Sequence, residues 1–321
     1  MIAFARRFGI QPLTIFLLAQ EGLGFVLRSD TTIVRLRGGA ESDPSARQQQ
    51  ELIGRGPLDP VRPFVPDLLK GKHALVTGGN RGIGEAITVA LVKAGAKVCI
   101  MANSEEAFRQ MVARHDGLDA REDKGNVFWI KANLRIPSEA VEGAEKAVQW
   151  AGGTIDILVN NAGIVAMEEF MGISSDAFDE VIAVNTRAPL LVSQVCLKGM
   201  IKQEYGKIVN ISSISAVITP EAHASYSASK SALDGITRGL VADLSKHNIQ
   251  VNNVAPTIAW SDMGIKTWSD PVKSQPRLDS TPLGRFVECW EVANMVVFLC
   301  SDACTMCLGQ TICVDGGYTC M

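Results

Sequence analysis

The stretch His73-Ala-Leu-Val-Thr77-Gly-Gly-Asn-Arg-Gly-Ile-Gly84-Glu-Ala-Ile87 decides the fold. Its first five residues form an apolar, β-branched run between Gly71 and Gly78, which predicts a buried strand. From Glu85 to Lys93 apolar side chains recur at helical spacing, so a helix follows at once. Between them, Gly78, Gly82 and Gly84 leave no side chain over the turn. A pyrophosphate can lie against such bare backbone, with the N–H groups and partial positive charge of the helix start behind it. A glycine pattern alone is weak. At a strand–helix junction that opens a β-α-β unit it reads as a dinucleotide loop. Asn80, Arg81 and Ile83 complete the turn and count as cofactor contacts.

Working outward, six further apolar runs follow. They are Lys97–Met101, Val127–Lys131, Ile155–Val159, Lys207–Ile211, Ile249–Asn253 and Thr311–Val314. Stretches with helical periodicity separate most of them. Continuous apolar strands alternating with helices imply an α/β fold whose parallel sheet is covered on both faces.

The chain has 321 residues, 47% hydrophobic and 20% charged, with 29 Gly, 13 Pro and a net charge of −3. This excludes collagen, coiled coil and wholesale disorder. No Lys/Arg-rich tract marks a nucleic-acid footprint, so no nucleic-acid partner is expected. The first 66 residues differ from the rest: they hold eight Arg and no Lys, and Glu21 is their first acid. Such a segment resembles an organelle transit peptide, for a mitochondrion or another organelle. A cytoplasmic protein with an incidental extension is the alternative. Gln11, Pro12, Gln20 and Glu21 interrupt the apolar run around Phe16–Ala19, so no membrane span is expected. Residues 38–66 read as linker. The expected organisation is therefore an extension over 1–66 and one catalytic domain over 67–321. Six of the eight Cys lie between Cys289 and Cys320, including Cys304-Thr-Met-Cys307. Without a second Cys or His pair they read as reduced thiols, and no metal site is expected.

The end of the second strand indicates which dinucleotide fits. An NAD site usually has Asp or Glu there, to hold the ribose hydroxyls. Here the residues are Asn103 and Ser104, and Arg81 in the loop can pair with a 2′-phosphate. NADP(H) is the expected cofactor. Asn160-Asn161-Ala162-Gly163 follows the fourth strand, where Gly163 permits close approach to a cofactor.

Ser213, Tyr226 and Lys230 form the most informative constellation. The four-residue spacing of Tyr226 and Lys230 puts both on one helix face. An ammonium beside a phenol favours the phenolate, so Tyr226 is expected to exchange a proton nearer neutrality than usual. Ser213 ends the fifth strand, at the edge where parallel sheets bind ligands. Its hydroxyl can hold a substrate carbonyl oxygen beside Tyr226.

Taken together, Thr77-Gly78, Gly82-Ile-Gly84, Asn160–Gly163, Asn185, Ser213, Tyr226 and Lys230 resemble the short-chain dehydrogenase/reductase family over about residues 68–318. The resemblance implies a doubly wound, Rossmann-type sheet of seven strands and a homodimer or homotetramer. It implies Tyr226 as general acid, Ser213 orienting the carbonyl, and Lys230 binding the nicotinamide ribose while lowering the Tyr226 pKa. Asn185 would hold a water of the proton relay. Asn161, Ala162 and Gly163 would line the cofactor. Asn133 and Leu134 stand where the family often carries Asp beside the adenine. Pro256 and Ser261 would meet the nicotinamide side.

The C-terminal third, with Thr267-Trp-Ser-Asp-Pro271 and Pro282-Leu-Gly284, resembles the dicarbonyl/L-xylulose reductase group. In that group a His before the catalytic Tyr and a Trp in a later loop line the substrate pocket; His223 and Trp268 occupy those places. Ile258–Leu278 shows no clear period and reads as a lid loop. The expected activity is NADP(H)-dependent reduction of a small ketose or α-dicarbonyl. A 3-oxoacyl-thioester reductase and a nucleotide-binding scaffold without turnover are the alternatives.

Overall fold

Seven apolar runs become seven strands, because each alternates its side chains between two helix-covered faces. A computed structural model of the chain describes residues 67–321 except Glu122 and Asp123, together with two short strands nearer the N-terminus. The chain divides into two units, Met1–Gly56 and Pro57–Met321. In the first, strands Val26–Ser29 and Thr32–Arg35 pair antiparallel. Apart from these two strands, the expected transit peptide lies outside the described residues, as does the linker over 38–66.

Among the described residues of the second unit, the strands are β1 (His73–Thr77), β2 (Lys97–Ala102), β3 (Val127–Lys131), β4 (Ile157–Asn160), β5 (Gly206–Ile211), β6 (Ile249–Pro256) and β7 (Thr311–Val314). All pair in parallel, in the order β3-β2-β1-β4-β5-β6-β7. The chain winds outward from β1 to β3, then returns to the other side of β1. That reversal opens a crevice at the carboxyl ends of β1 and β4.

The helices are α1 (Gly82–Lys93), α2 (Glu105–Arg114), α3 (Pro137–Trp150), α4 (Ser175–Ile182), α5 (Ala188–Gln203), α6 (Ala224–Leu244), α7 (Asp262–Trp268), α8 (Pro271–Asp279) and α9 (Cys289–Cys300). On one face of the sheet, Ala74, Val76, Ile100 and Val159 pack with Ile87 and Leu91 of α1 and Val292 and Val296 of α9. On the other, Leu75, Cys99, Leu158 and Ile208 pack with Ala140 and Ala144 of α3 and Val192 and Met200 of α5. Neighbours in β1 thus point to opposite cores, which is why the strand reads as unbroken apolar sequence. Each large aliphatic side chain so buried contributes about 2 kcal/mol of transfer free energy.

Three expectations about elements change. The fourth strand is Ile157–Asn160 instead of Ile155–Val159, because its pairing with β1 begins at Ile157. The sixth strand runs to Pro256 instead of Asn253, because Asn253 through Pro256 pair with Thr311 through Val314. The supposed lid loop contains two helices. Ser261 Oγ accepts from the Gly264 amide at 3.2 Å and starts α7; Asp270 Oδ1 accepts from the Val272 amide at 3.0 Å and starts α8, with Pro271 in its first turn. Helices of seven and nine residues are too short to show a period.

Polar bonds fasten α6 to the sheet. Asp234 Oδ1 accepts from Ser212 Oγ at 2.7 Å and Asn253 Nδ2 at 2.9 Å, while its Oδ2 accepts from Thr311 Oγ1 at 3.0 Å. Asn210 Nδ2 donates to Thr237 Oγ1 at 2.8 Å. One carboxylate therefore ties a helix to strand ends on three sides. The Asp234→Ala variant should lose about 3 kcal/mol of unfolding free energy, since three buried donors lose a charged acceptor. A urea titration reads this; a loss under about 0.5 kcal/mol would show that the bonds add no net stability.

Candidate active site

The turn after β1 is shaped by backbone approaching backbone. Gly78 and Gly82 have φ of 63° and 54°, in the left-handed region that favours glycine. A Cβ on Gly84 would stand 2.1 Å from the Gly78 carbonyl oxygen and 2.4 Å from Asn161 Nδ2. No side chain fits there. Asn161 holds the turn from the next strand, donating Nδ2 to the carbonyls of Thr77 at 2.9 Å and Gly78 at 3.1 Å. The amides of Asn161 and Ala162 both donate to Thr77 Oγ1 at 3.0 Å. Asn80 Nδ2 donates to the Ser104 carbonyl at 2.9 Å, joining the turn to the end of β2.

This turn walls one end of a cavity of about 700 Å³ along the carboxyl edge of the sheet. Arg81, Ile83, Asn103 and Ser104 line it, as do Asn133, Leu134 and Gly163. Ser104 also caps α2, accepting from the Ala107 amide at 3.2 Å. Asn133 Oδ1 accepts from the Arg135 amide at 3.2 Å. Ser261 crosses to the turn, its Cβ 3.4 Å from where a Cβ on Gly82 would stand. Pro256 lines the cavity at the end of β6.

The other end of the cavity contains Ser213, His223, Tyr226, Lys230 and Trp268. Ser213 lies two residues beyond β5 and caps a short turn, its Oγ accepting from the Ser215 amide at 3.1 Å. The Tyr226 phenol lies close enough to feel this hydroxyl, which favours its ionised form. Lys230 is buried and donates to the Ile211 carbonyl at 2.7 Å. Its Nζ sits 5.7 Å from the Tyr226 ring centre.

The electrostatics differ from expectation. Burial pushes the Tyr226 phenol above its ordinary range, and the Ser213 hydroxyl pulls against that rise. Burial, not the neighbouring ammonium, sets the direction, and that ammonium bonds to a strand carbonyl. Lys230 carries the large shift: burial lowers it to about 8, with Asp234 pulling it back up.

Asn185 alone among the expected site residues does not line the cavity. It lies in one turn of π-helix, Ala183–Arg187, behind Gly163. Its Oδ1 accepts from the Ile164 amide at 2.9 Å, and its Nδ2 donates to the Ile164 carbonyl at 2.9 Å and to Ser229 Oγ at 3.0 Å. The side chain braces the wall.

Known proteins share this arrangement. A family profile described as enoyl-(acyl carrier protein) reductase matches residues 78–319. The D-erythrulose reductase of Gallus gallus is 37% identical over 255 residues, covering 79% of this chain and 98% of that protein. The L-xylulose reductase of Bos taurus is 36% identical, covering 78% and 97%. The 3-oxoacyl-[acyl-carrier-protein] reductase of Aquifex aeolicus is 38% identical, covering 78% and 98%. A crystal structure of a putative gluconate dehydrogenase from Agrobacterium tumefaciens superposes with a TM-score of 0.74 at 29% identity, covering 80% and 99%. The chain belongs to the short-chain dehydrogenase/reductase family.

It is thus an oxidoreductase acting on carbonyl and alcohol groups with a nicotinamide cofactor. The turn fits such a group: protein atoms already fill the Cβ positions of Gly78 and Gly84, so only bare backbone lines the cavity at the start of α1, which suits a pyrophosphate. Among the described residues no helix is long and apolar enough to cross a membrane, and every cysteine is a free thiol.

The structure also brings in residues that sequence reasoning passed over. Arg277, Thr281, Phe286 and Tyr318 line the end of the cavity that holds Trp268. Arg277, Thr281 and Phe286 come from α8 and the loop after it, and Tyr318 from the turn after β7, 41 residues beyond Arg277. No spacing pattern could have joined them.

Gly84→Ala should weaken NADPH binding at least about tenfold, since the new methyl must displace the Gly78 carbonyl. Fluorescence titration of NADPH reads this. Unchanged affinity in a folded variant would show that the dinucleotide lies elsewhere.

Proposed function

We propose that the protein is an NADP(H)-dependent carbonyl reductase for a small ketose or α-dicarbonyl, with Tyr226 as general acid. One observation carries the reading. The Tyr226 hydroxyl, beside Ser213, shares a cavity with a bare glycine turn, and a buried ammonium lies behind it.

The NADP(H) preference rests on the end of β2. Asn103 and Ser104 place no carboxylate there to repel a 2′-phosphate, and Arg81 lines the same stretch of wall. Gly78, Gly82 and Gly84 would take the pyrophosphate, and Lys230 the nicotinamide ribose. The bound cofactor supplies hydride to the carbonyl carbon.

The chain's own residues handle the oxygen. Ser213 and Tyr226 donate to it as negative charge develops there. Tyr226 then gives up its proton. A phenol whose pKa is raised by burial starts protonated at neutral pH, which is the state an acid in reduction needs. The Lys230 ammonium stabilises the phenolate left behind. Asn185 keeps Ile164 and Gly163 in place behind this group.

His223 and Trp268 support the small-ketose reading. His223 Nδ1 meets the Glu221 carbonyl at 2.6 Å, so a neutral ring offers Nε2 as an acceptor for a substrate hydroxyl. Its ring lies 6.4 Å from that of Tyr226. Trp268 packs 6.3 Å from Phe286 and gives the pocket an apolar floor. The erythrulose and xylulose reductases among the relatives favour this substrate class. The Aquifex relative, equally similar, favours a 3-oxoacyl thioester as the second reading. We further propose a homodimer or homotetramer, directed to a mitochondrion or other organelle by the Arg-rich segment before Lys70.

NADPH oxidation measured with L-xylulose, diacetyl and an acetoacetyl thioester, beside NADH, tests the reading. Turnover of the thioester alone would replace it with the second. Tyr226→Phe should bind NADPH normally and lose about 10²–10⁴-fold in reductase kcat. Full activity would remove the tyrosine from the chemistry. The alkaline limb should lie near pH 8, where Lys230 loses its charge: reduction holds below that pH and declines above it. A flat profile from pH 6 to about pH 10 would contradict the role of the ammonium.

A further inference from the structure

Arg277 lines the cavity and, among the described residues, forms no ion pair, although Asp262 lines the same cavity. It sits in the last turn of α8, half-buried, on the wall that also holds Trp268 and Phe286. Its Nη1 donates to the Tyr318 hydroxyl at 2.8 Å. Nearby Arg285 shows the contrast, since Glu291 takes two of its N–H groups at 2.6 and 2.7 Å.

The guanidinium is also held in position. Thr281 Oγ1 donates to the Arg277 carbonyl at 2.8 Å, closing the end of α8. Tyr318 follows Gly316 and Gly317, whose φ values of 64° and 89° turn the chain sharply. Asp315 accepts from the amides of Gly317 at 3.0 Å and Thr319 at 2.8 Å, which fixes that turn. A neutral hydroxyl thus orients the fork without cancelling its charge, and the N–H groups left over along its edges suit two oxygens of one anion.

We propose that Arg277 recognises an oxyanion on the substrate, a carboxylate or a phosphate monoester, carried on the ketone away from the reacting carbonyl. This rests on the carbonyl-reductase reading of the cavity and narrows its substrate class. Arg277 is half-buried, so its charge is screened less than that of a fully exposed arginine. A neutral ketose makes no use of the guanidinium.

Paired ketones test the proposal. Acetoacetate is compared with pentane-2,4-dione, and dihydroxyacetone phosphate with dihydroxyacetone, in the wild type and in Arg277→Met and Arg277→Lys. The wild type should prefer the anion in at least one pair, and the pair showing it tells carboxylate from phosphate. In Arg277→Met the kcat/KM for that anion should fall about 10–100-fold, with less than about a threefold change for its neutral partner. Arg277→Lys should recover part of the loss. Equal losses on both members of a pair, or no anion preference in the wild type, would overturn the proposal.

Binding provides a readout that does not depend on turnover. Acetate or inorganic phosphate should raise the melting temperature of the NADP⁺-loaded wild type but not of Arg277→Met. If no ketone is reduced yet this difference persists, the reductase reading fails and the anion site stands. If neither anion raises the melting temperature selectively, the anion site fails, whatever the turnover.

Discussion

The bond from the Lys230 ammonium to the Ile211 carbonyl, 2.7 Å long, underlies the whole working edge of the sheet. A buried charge is costly unless it is paired or hydrogen-bonded. Here the last carbonyl of β5 receives it, so α6 can dock in one position only. That docking sets Tyr226 one turn earlier on the same face, against Ser213. One turn later it sets Asp234 among Ser212, Asn253 and Thr311. Asp234 also holds up the pKa of the lysine that burial pushes down. Stability and chemistry thus share one row of residues on one helix.

The cavity that results is built by two different means. Its dinucleotide end is made by removing side chains. Gly84 lies so close to the Gly78 carbonyl that only backbone remains, and Asn161 and Thr77 lock that backbone to the neighbouring strand. Its substrate end is made by adding side chains from short helices and turns, with Trp268, Phe286, Arg277 and Tyr318 converging from separate segments. The first construction tolerates little variation. The second can change one side chain at a time, and there the chain has room to choose its substrate.

Much of this was readable in advance. The seven strands follow from apolar runs, because a sheet covered on both faces imposes no alternation that polar residues could interrupt. The dinucleotide turn follows from glycines at a strand–helix junction. The Tyr226–Lys230 pair follows from helical spacing, while Ser213, expected to end a strand, lies two residues beyond β5. All are local rules, in which a few adjacent residues carry the information.

Other features needed the chain to be folded. The two helices within 258–278 are too short for a period, and only their caps at Ser261 and Asp270 mark them. The rise of the Tyr226 pKa comes from burial, which outweighs the opposing pull of Ser213. Asn185, expected at the cavity, turns to Ile164 because the π turn aims it behind Gly163. The pairing of Arg277 with Tyr318 joins positions 41 residues apart in the chain. Spacing and composition thus specify the strands, the bare turn and the helix face that carries Tyr226 and Lys230, since each depends on near neighbours. Dielectric environment and the convergence of remote side chains belong to the folded molecule, since both depend on what packs alongside.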